Sequence, residues 1–120
     1  MIYLDTSVAL AHLLAEDRHP PEALWAEVLV SSQLIEYELW TRLNARGLGA
    51  SHGEVLRELL ARLAMVELSQ VVLARATEPF PVPVRNLDAL HRASADFLRA
   101  QKQTVEIASY DVRRFPVARL

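Results

Sequence analysis

A chain of 120 residues with 52% hydrophobic and 23% charged residues is long enough to bury a core and ordinary enough in composition to be globular. Its formal net charge of −2 gives no bulk cationic surface for nucleic acid, and its lack of cysteine excludes disulfides and thiolate metal sites. No apolar run nears the ~20 residues of a membrane span, so a single domain over residues 1–120, cytoplasmic and without a membrane partner, is expected.

Met1-Ile2-Tyr3-Leu4 leads into Asp5, Thr6 and Ser7, after which Val8-Ala9-Leu10 resumes at helical spacing. This predicts a short buried strand that delivers Asp5 to its carboxyl end, with a helix beginning there. In open parallel sheets that edge is where ligands bind. No basic stretch precedes the apolar residues and Asp5 interrupts them, so the opening does not read as a signal peptide. Val8, Leu10, Leu13 and Leu14 form the helix's apolar stripe; His12 among them reads as packing or surface. Glu16 to Pro21 is a polar break, followed by a short helix through Trp25. Val28 to Ser31 is predicted as a second strand, buried on both faces.

Ser31 or Ser32 is expected to cap a helix from Gln33 to Arg46 that closes at Gly47. Its glutamates Glu36 and Glu38 point about 200° apart, so at most one faces a common site, and the helical wheel leaves open which. Glu38 also has Arg42 four residues on as a surface partner. Ser51-His52-Gly53-Glu54 has the pattern of a capping box before the stripe Leu56, Leu59, Leu60 and Leu63. Met65 to Leu68 reads as a short strand, Ser69 as the cap of a helix over Gln70 to Thr77, and Pro79, Pro81 and Pro83 as an extended connector.

Asn86 is expected to cap a helix from Leu87 to about Ala100, with Leu90, Ala93, Phe97 and Leu98 as its buried stripe. Asp88 stands in the first turn, where the helix dipole favours an anion, with Arg92 as a candidate partner. Asp96 lies more than ~10 Å further along the axis and is peripheral. Thr104 to Ala108 is the last predicted strand; it runs into Ser109-Tyr110-Asp111 and repeats the opening pattern of apolar strand then carboxylate. Arg113, Arg114 and Arg119 follow. Lys102 is the one lysine, so the positive charge is almost all arginine, the side chain suited to bidentate phosphate contacts.

Strand-terminal Asp5 and Asp111 with helix-borne Glu38 and Asp88 form a candidate four-carboxylate cluster. Converging acids repel one another, and a bound divalent cation removes the conflict. An all-oxygen donor set selects hard ions, Mg²⁺ or Mn²⁺, which activate water and steady a phosphodiester leaving group.

Ile2-Tyr3-Leu4-Asp5-Thr6-Ser7, Ser31-Ser32 through Leu39, Leu87-Asp88-Ala89-Leu90-His91-Arg92-Ala93-Ser94-Ala95 and Ser109-Tyr110-Asp111 occur in an order that resembles a PIN domain, specifically a VapC-type toxin of a toxin–antitoxin pair. The resemblance implies an α/β chain with a three-layer α/β/α PIN-like fold around a central parallel sheet. It implies a Mg²⁺-dependent endoribonuclease, with Mn²⁺ as a substitute, that hydrolyses RNA through metal-activated water. Asp5, Asp88 and Asp111 match the family's acidic positions, and Glu38 matches by its distance from the serine pair, which favours it over Glu36. Thr6 or Ser7 matches a supporting hydroxyl. The implied partners are RNA, a cognate VapB-type antitoxin and a second copy of the chain as a homodimer. Arg92, Arg113 and Arg114 are candidate RNA-phosphate contacts, or else surface partners of local acids. The segment after Asp111 is too short for the family's usual helix and strand, and Pro116 opposes a helix through it, so the chain departs from the family pattern there and the sequence leaves open whether an edge strand is kept.

Two other readings fit the residues. Asp5 at a strand end could be a phosphoacceptor, although Lys102 precedes its strand where such domains want a lysine at a strand end. A PIN fold could also serve as a catalytically silent binding module, against which the four acids argue.

Overall fold

The computed structural model describes residues 1–82 and 84–116, so Pro83 and Arg119 lie outside the described residues. Four parallel strands, β1 (Ile2–Leu4), β2 (Leu29–Ser32), β3 (Leu63–Val66) and β4 (Glu106–Ala108), form a sheet in the order β3-β2-β1-β4. The helices are α1 (Thr6–Leu13), α2 (Leu34–Ala45), α3 (Gly49–Ala61), α4 (Gln70–Ala76) and α5 (Asn86–Ala100), with a 3₁₀ turn over Glu22–Ala26.

Alternation along the strands builds the three layers. Leu4, Leu29, Leu63 and Ala108 face α1, α2 and α3, where Val8, Leu13, Ile35, Leu39, Leu43, Leu56 and Leu59 pack on them. Tyr3, Val30, Val66 and Ile107 face the other way, against Val72 of α4, Ala93 and Ala95 of α5, and Phe115. Each fully buried leucine or isoleucine contributes about 1.5–3 kcal/mol. The result is the expected α/β/α sandwich with a parallel sheet. Among the described residues, no helix is long and apolar enough to cross a membrane.

Several local expectations are corrected. β2 begins at Leu29, and Val28 is exposed. β3 starts at Leu63, so the last leucine assigned to the helical stripe is the first inward residue of the strand. Ser51 does not open α3, which begins two residues earlier at Gly49; its hydroxyl donates to the Leu48 carbonyl and pairs with His52 instead of capping. α5 includes Asn86, with Arg85 at the cap position and no side-chain cap bond. Its buried face is Ala89, His91, Ala93, Ser94 and Ala95, while Leu90, Phe97 and Leu98 are only half-buried. Small residues let α5 lie close against α4 and β2, a packing that a search for large apolar side chains overlooks. Gly47 closes α2 as expected, with the positive φ of 69° that favours glycine. Ser69 caps α4 by accepting the Val72 amide.

Candidate functional site

The carboxyl ends of β1 and β4 lie side by side, because Leu4 pairs with Ala108. Asp5 follows β1 directly, is wholly buried, and caps α1. Its Oδ2 accepts hydroxyls from Ser7 and Ser109, both at 2.7 Å, and more weakly the Ser7 amide at 3.4 Å. The same hydroxyls accept amides from the end of β4: Tyr110 N–H donates to Ser7 Oγ and Asp111 N–H to Ser109 Oγ, each at 2.9 Å. Two serines thus tie both strand ends to one carboxylate and leave its Oδ1 facing inward.

Glu38 is buried on the inner face of α2, and Glu36 is exposed, so the ambiguity between them ends with Glu38. Glu38 Oε1 accepts the Thr6 hydroxyl at 2.7 Å and lies 2.5 Å from His91 Nε2. His91 is wholly buried, and its Nδ1 is hydrogen-bonded to the Tyr3 hydroxyl at 2.7 Å. Tyr3 in turn accepts the Ser32 amide at 3.1 Å. A buried file of Tyr3, His91 and Glu38 therefore runs from the sheet to the site. Burial opposes ionisation of Glu38, but the hydrogen bond and charge of His91, the Arg114 charge and the Thr6 hydroxyl hold its carboxyl down at about 2. Burial pushes the Tyr3 phenol up.

Asp88, in the first turn of α5, and Arg114 complete the centre. One guanidinium meets three carboxylates from three elements: Nη1 donates to Asp5 Oδ1 at 2.9 Å, Nη2 to Glu38 Oε2 at 3.1 Å and Nε to Asp88 Oδ1 at 2.7 Å. Nη1 also reaches Thr6 Oγ1 at 3.4 Å. The Arg114 side chain is 9% exposed, against 21% for Asp88. Burial favours loss of its proton, but the charges of Asp5 and Glu38 outweigh this and bind the proton more tightly than usual. Asp111 stands apart from these ion pairs. Its Oδ1 accepts the amides of Arg113 and Arg114, closing the turn that aims Arg114 inward, and the residue lines the same cavity.

The donor set fits a hard divalent ion in kind: carboxylate and hydroxyl oxygens, two of the carboxylates buried. Among the described residues, however, no three acids or imidazoles stand at ligating geometry. The cause is visible in the distances, since the oxygens of Asp5, Glu38 and Asp88 are held apart by a guanidinium instead of drawn in to the ~2.1 Å that Mg²⁺ requires.

Of the other arginines, Arg92 lies over the Phe80 ring, its Nη1 donating to the Arg114 carbonyl, and not beside Asp88. Arg113 is exposed beyond Asp111. Asp96 pairs with Arg75 at 3.0 Å, away from the centre. A cavity of about 200 Å³ opens over the acids, lined by Asp5, Thr6, Glu38 and Asp111 and rimmed by Arg18, Arg42 and Arg46. Sequence reasoning passed over His91 and the rim as a group, and the expectation for Arg114 as a phosphate contact or surface partner is corrected: it is a buried partner of Asp5, Glu38 and Asp88. His91 had a signal, since it lies three residues from Asp88 and so one turn along the same side of α5. The rim had less, since Arg18 lies in a loop and Arg42 and Arg46 merely continue the helix beyond Glu38 at four-residue steps.

No curated protein sequence matches the chain. The family model of the PIN domain matches residues 2–118, nearly the whole length, and the chain belongs to the PIN domain family.

Proposed function

We propose that this protein is a Mg²⁺-dependent endoribonuclease of the VapC toxin type, held in check by a cognate VapB-type antitoxin and dimeric like the family it resembles. PIN domains are generally metal-dependent nucleases. The observation that carries the reading is the convergence of Asp5, Glu38 and Asp88, from the end of β1, from α2 and from α5, on the single guanidinium of Arg114. A divalent ion held there by these three, with Asp111 at the cavity wall, would supply activated water and offset charge on the phosphodiester. The chain's own groups do the positioning. Ser7 and Ser109 fix Asp5, while Thr6 and His91 fix Glu38, so these two carboxylates are oriented by the chain itself. Arg18, Arg42 and Arg46 at the cavity mouth, with Arg113 beyond it, are suited to the flanking phosphates.

Asp88→Asn is the cleaner test, because Asp88 is partly exposed and its side chain is bonded to Arg114 alone among the described residues. The variant should melt near the wild type and lose Mg²⁺-dependent cleavage of single-stranded RNA. Undiminished, chelator-sensitive cleavage by Asp88→Asn would overturn the assignment. One observation favours the silent binding module instead: the acids already have a cation in Arg114. Mg²⁺ titration followed by NMR separates the two, since a silent module leaves the Asp5 and Asp88 environments unchanged.

A further inference from the structure

We infer that Arg114 is the resident cation of the acid cluster and that its guanidinium and a divalent ion exclude one another, so that metal enters only as Arg114 swings out. This rests on the metal-dependent reading above and adds the residue that sets metal affinity.

The guanidinium uses all three of its nitrogens on the three acids, one to each. Each bond is charge-assisted, and the fork of Arg114 suits them as a single ammonium would not. The oxygens around it are spaced for N–H donors near 3 Å, so a metal shell from the same oxygens needs the space that the guanidinium fills.

The exchange can be confined to the side chain. The Arg114 amide is held by Asp111 at 3.1 Å and its carbonyl by Arg92 at 3.4 Å. The next residue, Phe115, is buried against the Tyr3 ring with centroids 5.6 Å apart. The backbone is therefore pinned on both sides of the side chain that must move. The cavity of about 200 Å³ beside the acids, which Arg114 itself lines, gives that side chain somewhere to go. Apparent metal affinity is then lowered by the fraction of molecules in which Arg114 has vacated the acids.

The test pairs calorimetric titration of MnCl₂ into wild type and Arg114→Met with an NMR titration of MgCl₂ into the wild type. Arg114→Met should bind Mn²⁺ at least ~10-fold more tightly. In the wild type, the Arg114 Nε–H resonance, assigned by its loss in Arg114→Lys and shifted by its bond to Asp88, should move to a free-guanidinium position as Mg²⁺ saturates. Equal Mn²⁺ affinities, or an Nε–H resonance unmoved at saturation, would overturn the exclusion and leave the nuclease reading standing. If neither protein binds Mn²⁺, both fall. The NMR titration decides alone should Arg114→Met not fold.

Discussion

Asp5→Asn removes a charge with almost no change of shape, and here it should also destabilise the protein. The side chain is wholly buried and both oxygens are engaged. Asparagine should keep its oxygen where Oδ2 stands, because the Ser7 hydroxyl, the Ser109 hydroxyl and the Ser7 amide all donate to that position. Its NH₂ then meets Arg114 Nη1, donor against donor, where the carboxylate accepted at 2.9 Å. One charge-assisted bond is lost, worth about 1.5–3 kcal/mol. Arg114 keeps Glu38 and Asp88, so the loss stays below the ~3–5 kcal/mol of an orphaned buried charge. A loss of about 2 kcal/mol lowers the melting temperature of a chain this long by roughly 8 °C. Scanning calorimetry with chelator present checks the value. The same substitution in an Arg114→Met background should cost at least ~1.5 kcal/mol less, since the partner is gone. A melting temperature within ~2 °C of wild type, or an equal cost in both backgrounds, would refute the assignment of Arg114 as Asp5's partner.

Glu38 predicts an acid limb. Its folded value of about 2 lies below the ordinary 4.5, so the folded state binds fewer protons than the unfolded. The stabilisation is complete above pH 4.5 and is lost as pH falls through about 2. Glu38→Gln should flatten the decline of melting temperature across that window, and an unchanged slope would contradict the pairing. His91→Phe keeps a ring in a wholly buried slot but leaves Tyr3 and Glu38 each short of a partner, at a cost of about 2–4 kcal/mol. Urea denaturation measures it, and a cost under ~1 kcal/mol would show that His91 fills space only.

The layers were legible because they rest on period and on apolar residues. Ile2 to Leu4, Leu29 and Val30, and Ile107 and Ala108 read as buried strands, and the structure makes them so. Boundaries slipped where one residue could serve two elements, as Leu63 closes a helical stripe and opens β3. Asp5 and Asp88 were legible as residues that β1 and the start of α5 carry to one end of the sheet. Glu36 and Glu38 were not separable by spacing, and only the tertiary path of α2 buries one and exposes the other. Arg114 was legible as a cation but not in its direction, because that is set by Asp111 closing the turn over Arg113 and Arg114.

That direction changes how the charge conflict in the cluster is resolved. Three converging carboxylates in a buried site cannot all stay ionised without a counter-charge, and spacing alone named a divalent metal as the remedy. The fold supplies a first remedy from its own chain, since Arg114 meets every one of them. The compensation is incomplete: one guanidinium stands against three carboxylates, and His91 reaches Glu38 alone among them. A singly charged occupant leaves the cluster negative, and the excess is concentrated where Asp5 and Glu38 are least exposed to solvent. A site in that state has a counter-charge from its own chain and is still electrostatically favourable to a dication. The acids are thus held in place by a singly charged group, and on the exclusion inferred above the strength of the Arg114 bonds would set the metal concentration needed to displace it.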